Sequence, residues 1–161
     1  MQLVTEACTF NFHLKLACLQ SKLYDFDVEI LLASKFKGYL PDSFYCRLYR
    51  KDLSEYIQYF QNHYHQLIAT DGWYESPEFI PSLGMDFTLQ CHEGEIENIA
   101  NGDFAITILI NCGSTSEDTA NTYFGLRTNL DTLNMRDFCD DLAKLSSLTE
   151  SDFGDLACKL C

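Results

Sequence analysis

The chain is short of positive charge. It has 11 lysines and arginines against 24 aspartates and glutamates in 161 residues, a formal net charge of −13. That balance excludes the basic surface that direct binding to nucleic acid or an anionic membrane requires. Glycine and proline are scarce as well, at 8 and 3, which excludes linker, collagen-like and low-complexity chains. No run of about 18 apolar residues is present, so no membrane-spanning helix is expected. The opening "MQLVTEACTF" lacks a basic segment followed by an apolar one, and a cytoplasmic location is expected. Phosphate-binding glycine loops, the GxSxG elbow and the HExxH helix are all missing, so neither cofactor nor catalytic motif is expected.

What is present is core material: 47% of the residues are hydrophobic and 14% aromatic. A chain of this length buries roughly two-thirds of its unfolded surface in one domain, taken here as residues 1–161. The 8 cysteines lie mostly among apolar neighbours, where they act as small hydrophobes; free thiols are expected.

Hydrophobic periodicity places the elements. "CTFNFHLKLAC" (8–18) alternates, with Phe10, Phe12, Leu14 and Leu16 on one face, and "YDFDVEILLAS" (24–34) repeats the pattern with Phe26, Val28, Ile30 and Leu32. Asp25 and Asp27 fall on its outer face. A third strand is expected over 43–50. Residues 52–70 switch to helical spacing, with Leu53, Tyr56, Ile57, Phe60, Tyr64 and Leu67 in one stripe and Asp52 and Glu55 as a capping box. Strands follow at 85–92, 95–101, 103–111 and 121–129, with turns at Glu93-Gly94 and Asn101-Gly102. A polar loop spans 112–121. In "NTYFGLRTNLDTLNMRDFCDDLAKL" a strand gives way, through a turn at Leu130-Asp131-Thr132, to a helix. Asn134 is expected as its N-cap, Leu133 as a staple on Phe138, and Phe138, Leu142 and Leu145 as its buried stripe. The tail 149–161 is a short helix or a frayed end. The fold class is α+β: an antiparallel sheet of about six to seven strands with two main helices packed on it.

The acidity is lopsided. Residues 1–70 carry seven basic and seven acidic side chains, whereas residues 71–161 carry four basic against 17 acidic. A surface this negative attracts basic proteins and speeds their association; its plainest alternative role is solubility. The candidate partner-binding residues are Glu93, Glu95, Glu97, Asp103, Asp137, Asp140 and Asp141. Trp73 and Tyr74 in "TDGWYESPEF" are candidate anchors. Because a lone tryptophan is more often buried than not, a core plug is the favoured reading of Trp73.

Other chemistry-bearing residues read as structural. His63 and His65 sit two apart on a helix, on different faces, and read as surface histidines rather than metal ligands. Cys91 and His92 are adjacent on a strand and should point to opposite faces, which disfavours a nucleophile–base pair. "CKLC" (158–161) lacks a second ligand pair for zinc. No metal site is expected.

The order of elements carries a resemblance: opening hairpin strands, the helix "DLSEYIQYFQNHYHQL", a tryptophan loop, "MDFTLQCHEGEIENIANGDFAITILI", and the closing "YFGLRTNLDTLNMRDFCDDLAKL". It resembles small bacterial immunity proteins of the wall-associated toxin type (the WapI family) over most of residues 10–148. The resemblance implies a non-enzymatic inhibitor that binds a cognate toxin domain in the producing cell. A nuclease toxin must itself be positive, so an acidic inhibitor would occlude its active site. The competing expectations are an acidic phage or mobile-element protein that inhibits a host defence factor by DNA mimicry, and a small enzyme using Cys91 or His92.

Overall fold

In the computed structural model, residues 1–18, 22–36, 38, 41–81, 87–111 and 122–148 are described. The 112–121 loop, the tail 149–161 with its CKLC motif, and the start of the 85–92 strand lie outside those residues. Four strands form one antiparallel sheet in chain order: β1 (Gln2–Val4), β2 (Cys8–Cys18), β3 (Leu23–Leu32) and β4 (Ser43–Tyr49). Helix α1 (Arg50–Ala69) follows directly. A second antiparallel sheet comprises β5 (Phe87–Asn98), β6 (Asn101–Asn111) and β7 (Tyr123–Asp131), and helix α2 (Thr132–Ser147) completes the described chain. The class is α+β, with seven strands divided between two sheets rather than joined in one. No described helix is long and apolar enough to cross a membrane.

The alternating apolar residues meet in a common aromatic core. Phe12 of β2 packs edge-on against Phe26 at 6.0 Å and Phe87 at 5.9 Å between ring centroids, and against Phe138 of α2 at 5.6 Å. Phe60 of α1 meets Phe138 at 6.2 Å. Each such pair contributes about 0.5–1.5 kcal/mol beyond burial alone. Both sheets and both helices thus bury their apolar faces in one place. The sheets are also tied by backbone: Glu6 N donates to Asn129 O at 3.0 Å, and Ala7 N to Thr128 Oγ1 at 3.1 Å.

Several local expectations are corrected. Leu16 is 57% exposed, because a register shift between Leu14 and Leu16 inserts Lys15 and turns the end of β2 over. Asp25, expected outside, is 6% exposed and accepts both Arg47 Nε at 2.6 Å and Arg47 Nη2 at 2.9 Å. That bidentate bond holds its carboxyl below the ordinary aspartate range. Asp52 is not the N-cap of α1 but its third residue, accepting the Tyr49 N–H at 2.6 Å. Its side chain is fully buried.

Strand β7 runs into α2 without a turn. Asp131 is the cap, accepting from Leu133 N at 2.7 Å and Asn134 N at 3.3 Å. Asn134 therefore lies inside the first turn of the helix rather than before it. The Glu93-Gly94 turn is absent as well, since β5 passes straight through it. The β5–β6 hairpin turns at Ile99-Ala100, between paired Asn98 and Asn101, with Ala100 N donating to Asn98 Oδ1 at 2.9 Å.

Candidate functional site

The site is built on the outer face of the second sheet and on the segment that leaves α1. Helix α1 ends through two residues with left-handed backbone, Asp71 (φ 53°) and Gly72 (φ 86°). Gly72 N donates to Leu67 O at 2.8 Å, and Gly72 O accepts Gly94 N at 3.1 Å. A Cβ at Gly72 would lie 2.2 Å from Gly94 O, and one at Gly94 would lie 2.3 Å from Asp103 O. Two glycines thus let three backbones touch. Beyond them the chain runs beside β5: Ser76 N donates to Cys91 O at 2.9 Å, and Phe79 and Leu89 bridge.

This docking leaves Trp73 on the surface, 81% exposed. The core-plug reading is therefore wrong, and the physical reason is the pinned glycine turn, which aims the ring outward. Trp73, Asp71, Glu93 and Glu95 line a cleft of about 240 Å³. The next cleft, about 350 Å³, adds Leu67, Ile68, Ile96 and Glu97. Tyr74 turns inward and is half-buried, its ring 5.7 Å from that of His63.

Next to these clefts lies a row of carboxylates. Phe104, Ile106, Ile108 and Ile110 of β6 are fully buried, so Asp103 points to the opposite face. Glu95 stands opposite Asp103, and Asp103 opposite Asp131, in consecutive cross-strand register. All three are exposed. Among the described residues none of the three is ion-paired. Asp131 was not foreseen: it reads locally as a turn residue, and only the sheet register reveals its neighbours.

The acids of the first sheet are arranged differently. Asp25 pairs with Arg47 at 2.6 Å, Asp27 with Lys15 at 2.7 Å, and Glu29 accepts Asn11 Nδ2 at 2.9 Å. The remaining candidates divide. Glu93 is bound by Arg127 at 2.6 Å, and Glu97 accepts from Asn101. On α2, Asp137 pairs with Arg136 at 3.1 Å and Asp141 with Lys144 at 2.9 Å, while Asp140 is exposed. Asp103 and Asp131 border one cleft with Asn134, and Asp137 and Asp141 border the next, which Asn134 also lines. The structure thus strings most of the acidic candidates along one side, from Trp73 to α2.

Of the two helix histidines, His65 is exposed as expected and His63 is not. His63 is fully buried. Its Nε2 lies 3.0 Å from His92 O, a pure acceptor, so Nε2 carries the proton; Nδ1 then accepts from Ser76 Oγ at 2.9 Å. Burial drives its pKa down to about 4. Cys91 and His92 do differ in facing. The Cys91 thiol lies in the core, and burial pushes its pKa well up, so it is no thiolate near neutral pH. But between Cys91 and Gly94 the register shifts, with His92 and Glu93 together opposite Ala105. The bulge brings His92, Glu93 and, from the docked segment, Glu75 together, with ligand atoms all within 4.8 Å of one another.

No protein-family model matches the chain, and a search of the curated proteins finds no match.

Proposed function

We propose that the chain is an inhibitory binding protein of the immunity type, which neutralises a basic toxin domain by covering its active site with the acidic side of the second sheet. The observation that carries this reading is the row Glu95–Asp103–Asp131, none of which is ion-paired among the described residues. Like charges directly opposite on neighbouring strands destabilise a sheet. The first sheet pairs Asp25 with Arg47 and Asp27 with Lys15; among the described residues the second sheet gives this row no such cation. Solubility needs no such alignment. A basic partner turns the repulsion into attraction, and the field gains a factor of about ten to a thousand in association rate. Trp73, exposed beside clefts rimmed by Glu93 and Glu95, offers a flat aromatic face to an arginine or lysine of the partner. The sequence resemblance points to the same role.

The test is co-expression with the protein encoded by the neighbouring gene, which this reading expects to be a toxin. The parent chain is expected to restore growth. A Glu95→Lys/Asp103→Lys variant, still folded by circular dichroism, is expected to fail. Rescue by both proteins would remove the acidic row from the interface. Failure by both, with inhibition instead of a duplex-cutting defence nuclease in competition with DNA, would favour the DNA-mimic reading.

A further inference from the structure

Independently of the acidic row, the bulge on β5 carries a second kind of chemistry. We propose that Glu75, His92 and Glu93 form a binding site for a divalent first-row transition ion, with Arg127 holding one of the carboxylates when the ion is absent.

The imidazole is a fixed donor. The His92 side chain is 8% exposed, and its Nε2 is 2.8 Å from Thr107 Oγ1 on β6. Metal-bound histidines are oriented in this way through the ring nitrogen that does not bind the ion. The other nitrogen, Nδ1, faces Glu75 Oε1 at 3.3 Å. The two carboxylates are adjustable donors, with side chains 61% and 45% exposed. Ion–ligand bonds of about 2.0–2.2 Å set ligand–ligand edges of about 3.3–3.6 Å in a tetrahedral shell. Closing the present spread of up to 4.8 Å calls on the two glutamates to rotate while the imidazole stays in place. Glu93 also borders the Trp73 cleft, so the cluster is reachable from solvent.

The donor set narrows the ion. One imidazole and two carboxylates suit zinc, cobalt, manganese or ferrous iron; magnesium and calcium take oxygen donors. Two neighbouring contacts set the competition. Arg127 Nη2 donates to Glu93 Oε1 at 2.6 Å, placing a fixed cation where part of the ion's charge would go. The rival arrangement is a purely structural one, an ion pair between Glu93 and Arg127 beside a Glu75–His92 contact.

The two arrangements differ in the sign of one effect. Cobalt(II) titration of the full chain, followed by d–d absorption and calorimetry, is expected to show one ion per chain at this site. Glu75→Gln and Glu93→Gln change exposed side chains and should weaken binding at least tenfold each, and His92→Gln should remove it. Arg127→Gln should tighten binding several-fold, and should lose most of that gain in a Glu93→Gln background. No binding, binding indifferent to both glutamate variants, or binding unchanged or weakened in Arg127→Gln would overturn the proposal. So would cobalt–thiolate charge-transfer absorption as the only signal, which would place the ion on cysteines.

Discussion

His63 shows how a single residue's place follows from partners that lie far away in the chain. Two histidines two apart on a helix cannot both face inward, and local spacing does not say which one does. Ser76 and the His92 carbonyl decide it, since they satisfy both ring nitrogens in the core. The cost appears in acid. The unfolded chain protonates this histidine below about pH 6.5, whereas the folded protein resists until about pH 4. Its contribution to stability is full above the unfolded value and is lost as pH falls through that window, by about 3 kcal/mol in total. Urea unfolding in EDTA buffer, from pH 7 to pH 4, should therefore give a steeper fall in stability for the parent than for His63→Gln. Parallel curves would show that His63 takes up its proton without unfolding.

Among the elements, the junction of β7 and α2 separates two roles of one side chain. Asp131 caps the helix through its Oδ1 and stands in the acidic row. Alanine removes both roles; asparagine keeps the cap and removes the charge. A lost cap costs about 0.5–2 kcal/mol, and asparagine caps as well as aspartate. Asp131→Asn should be the more stable of the two variants by about 1 kcal/mol in urea unfolding. Equal stabilities would mean that the bonds to Leu133 N and Asn134 N contribute nothing.

This junction also marks where local pattern stops being informative. Both main helices and six of the strands are legible from periodicity, because burial of one face imposes it residue by residue. Bulges are not legible. Nothing in "LKL" or "CHEGE" announces that the strand carries one residue more than its partner there, yet those extra residues expose Leu16 and set His92 and Glu93 together opposite Ala105. The Asn101-Gly102 signal misleads for a related reason. The turn falls at Ile99-Ala100, where Asn98 and Asn101 pair across it. The candidate acids were visible as charge, but their alignment with Asp131 was not, since register belongs to the folded sheet.

At the scale of the whole molecule, the sequence's division into a neutral half and an acidic half becomes a division between sheets. The four-stranded sheet pairs Asp25 with Arg47 and Asp27 with Lys15, and the three-stranded sheet lines up Glu95, Asp103 and Asp131 on the side that carries an exposed tryptophan. A surface that weakens its own fold while attracting a partner has a distinctive signature. Removing the charge should make the protein more stable and a poorer binder at once, whereas damage to the fold lowers both. The neutral half supplies the control: Asp42 and Glu55 are exposed there.

The most direct test is the association rate with the proposed toxin partner, measured by stopped flow from low to high salt. Three proteins are compared: the parent, Glu95→Gln/Asp103→Asn, and Asp42→Asn/Glu55→Gln. The row variant should associate about 3–10-fold more slowly at low ionic strength, depend less on salt, and converge with the parent when screening is strong. Its unfolding free energy should be equal to the parent's or higher. The control should match the parent throughout. Equal rates for all three proteins, or equal losses in both variants, would contradict the assignment of the acidic row as the binding surface.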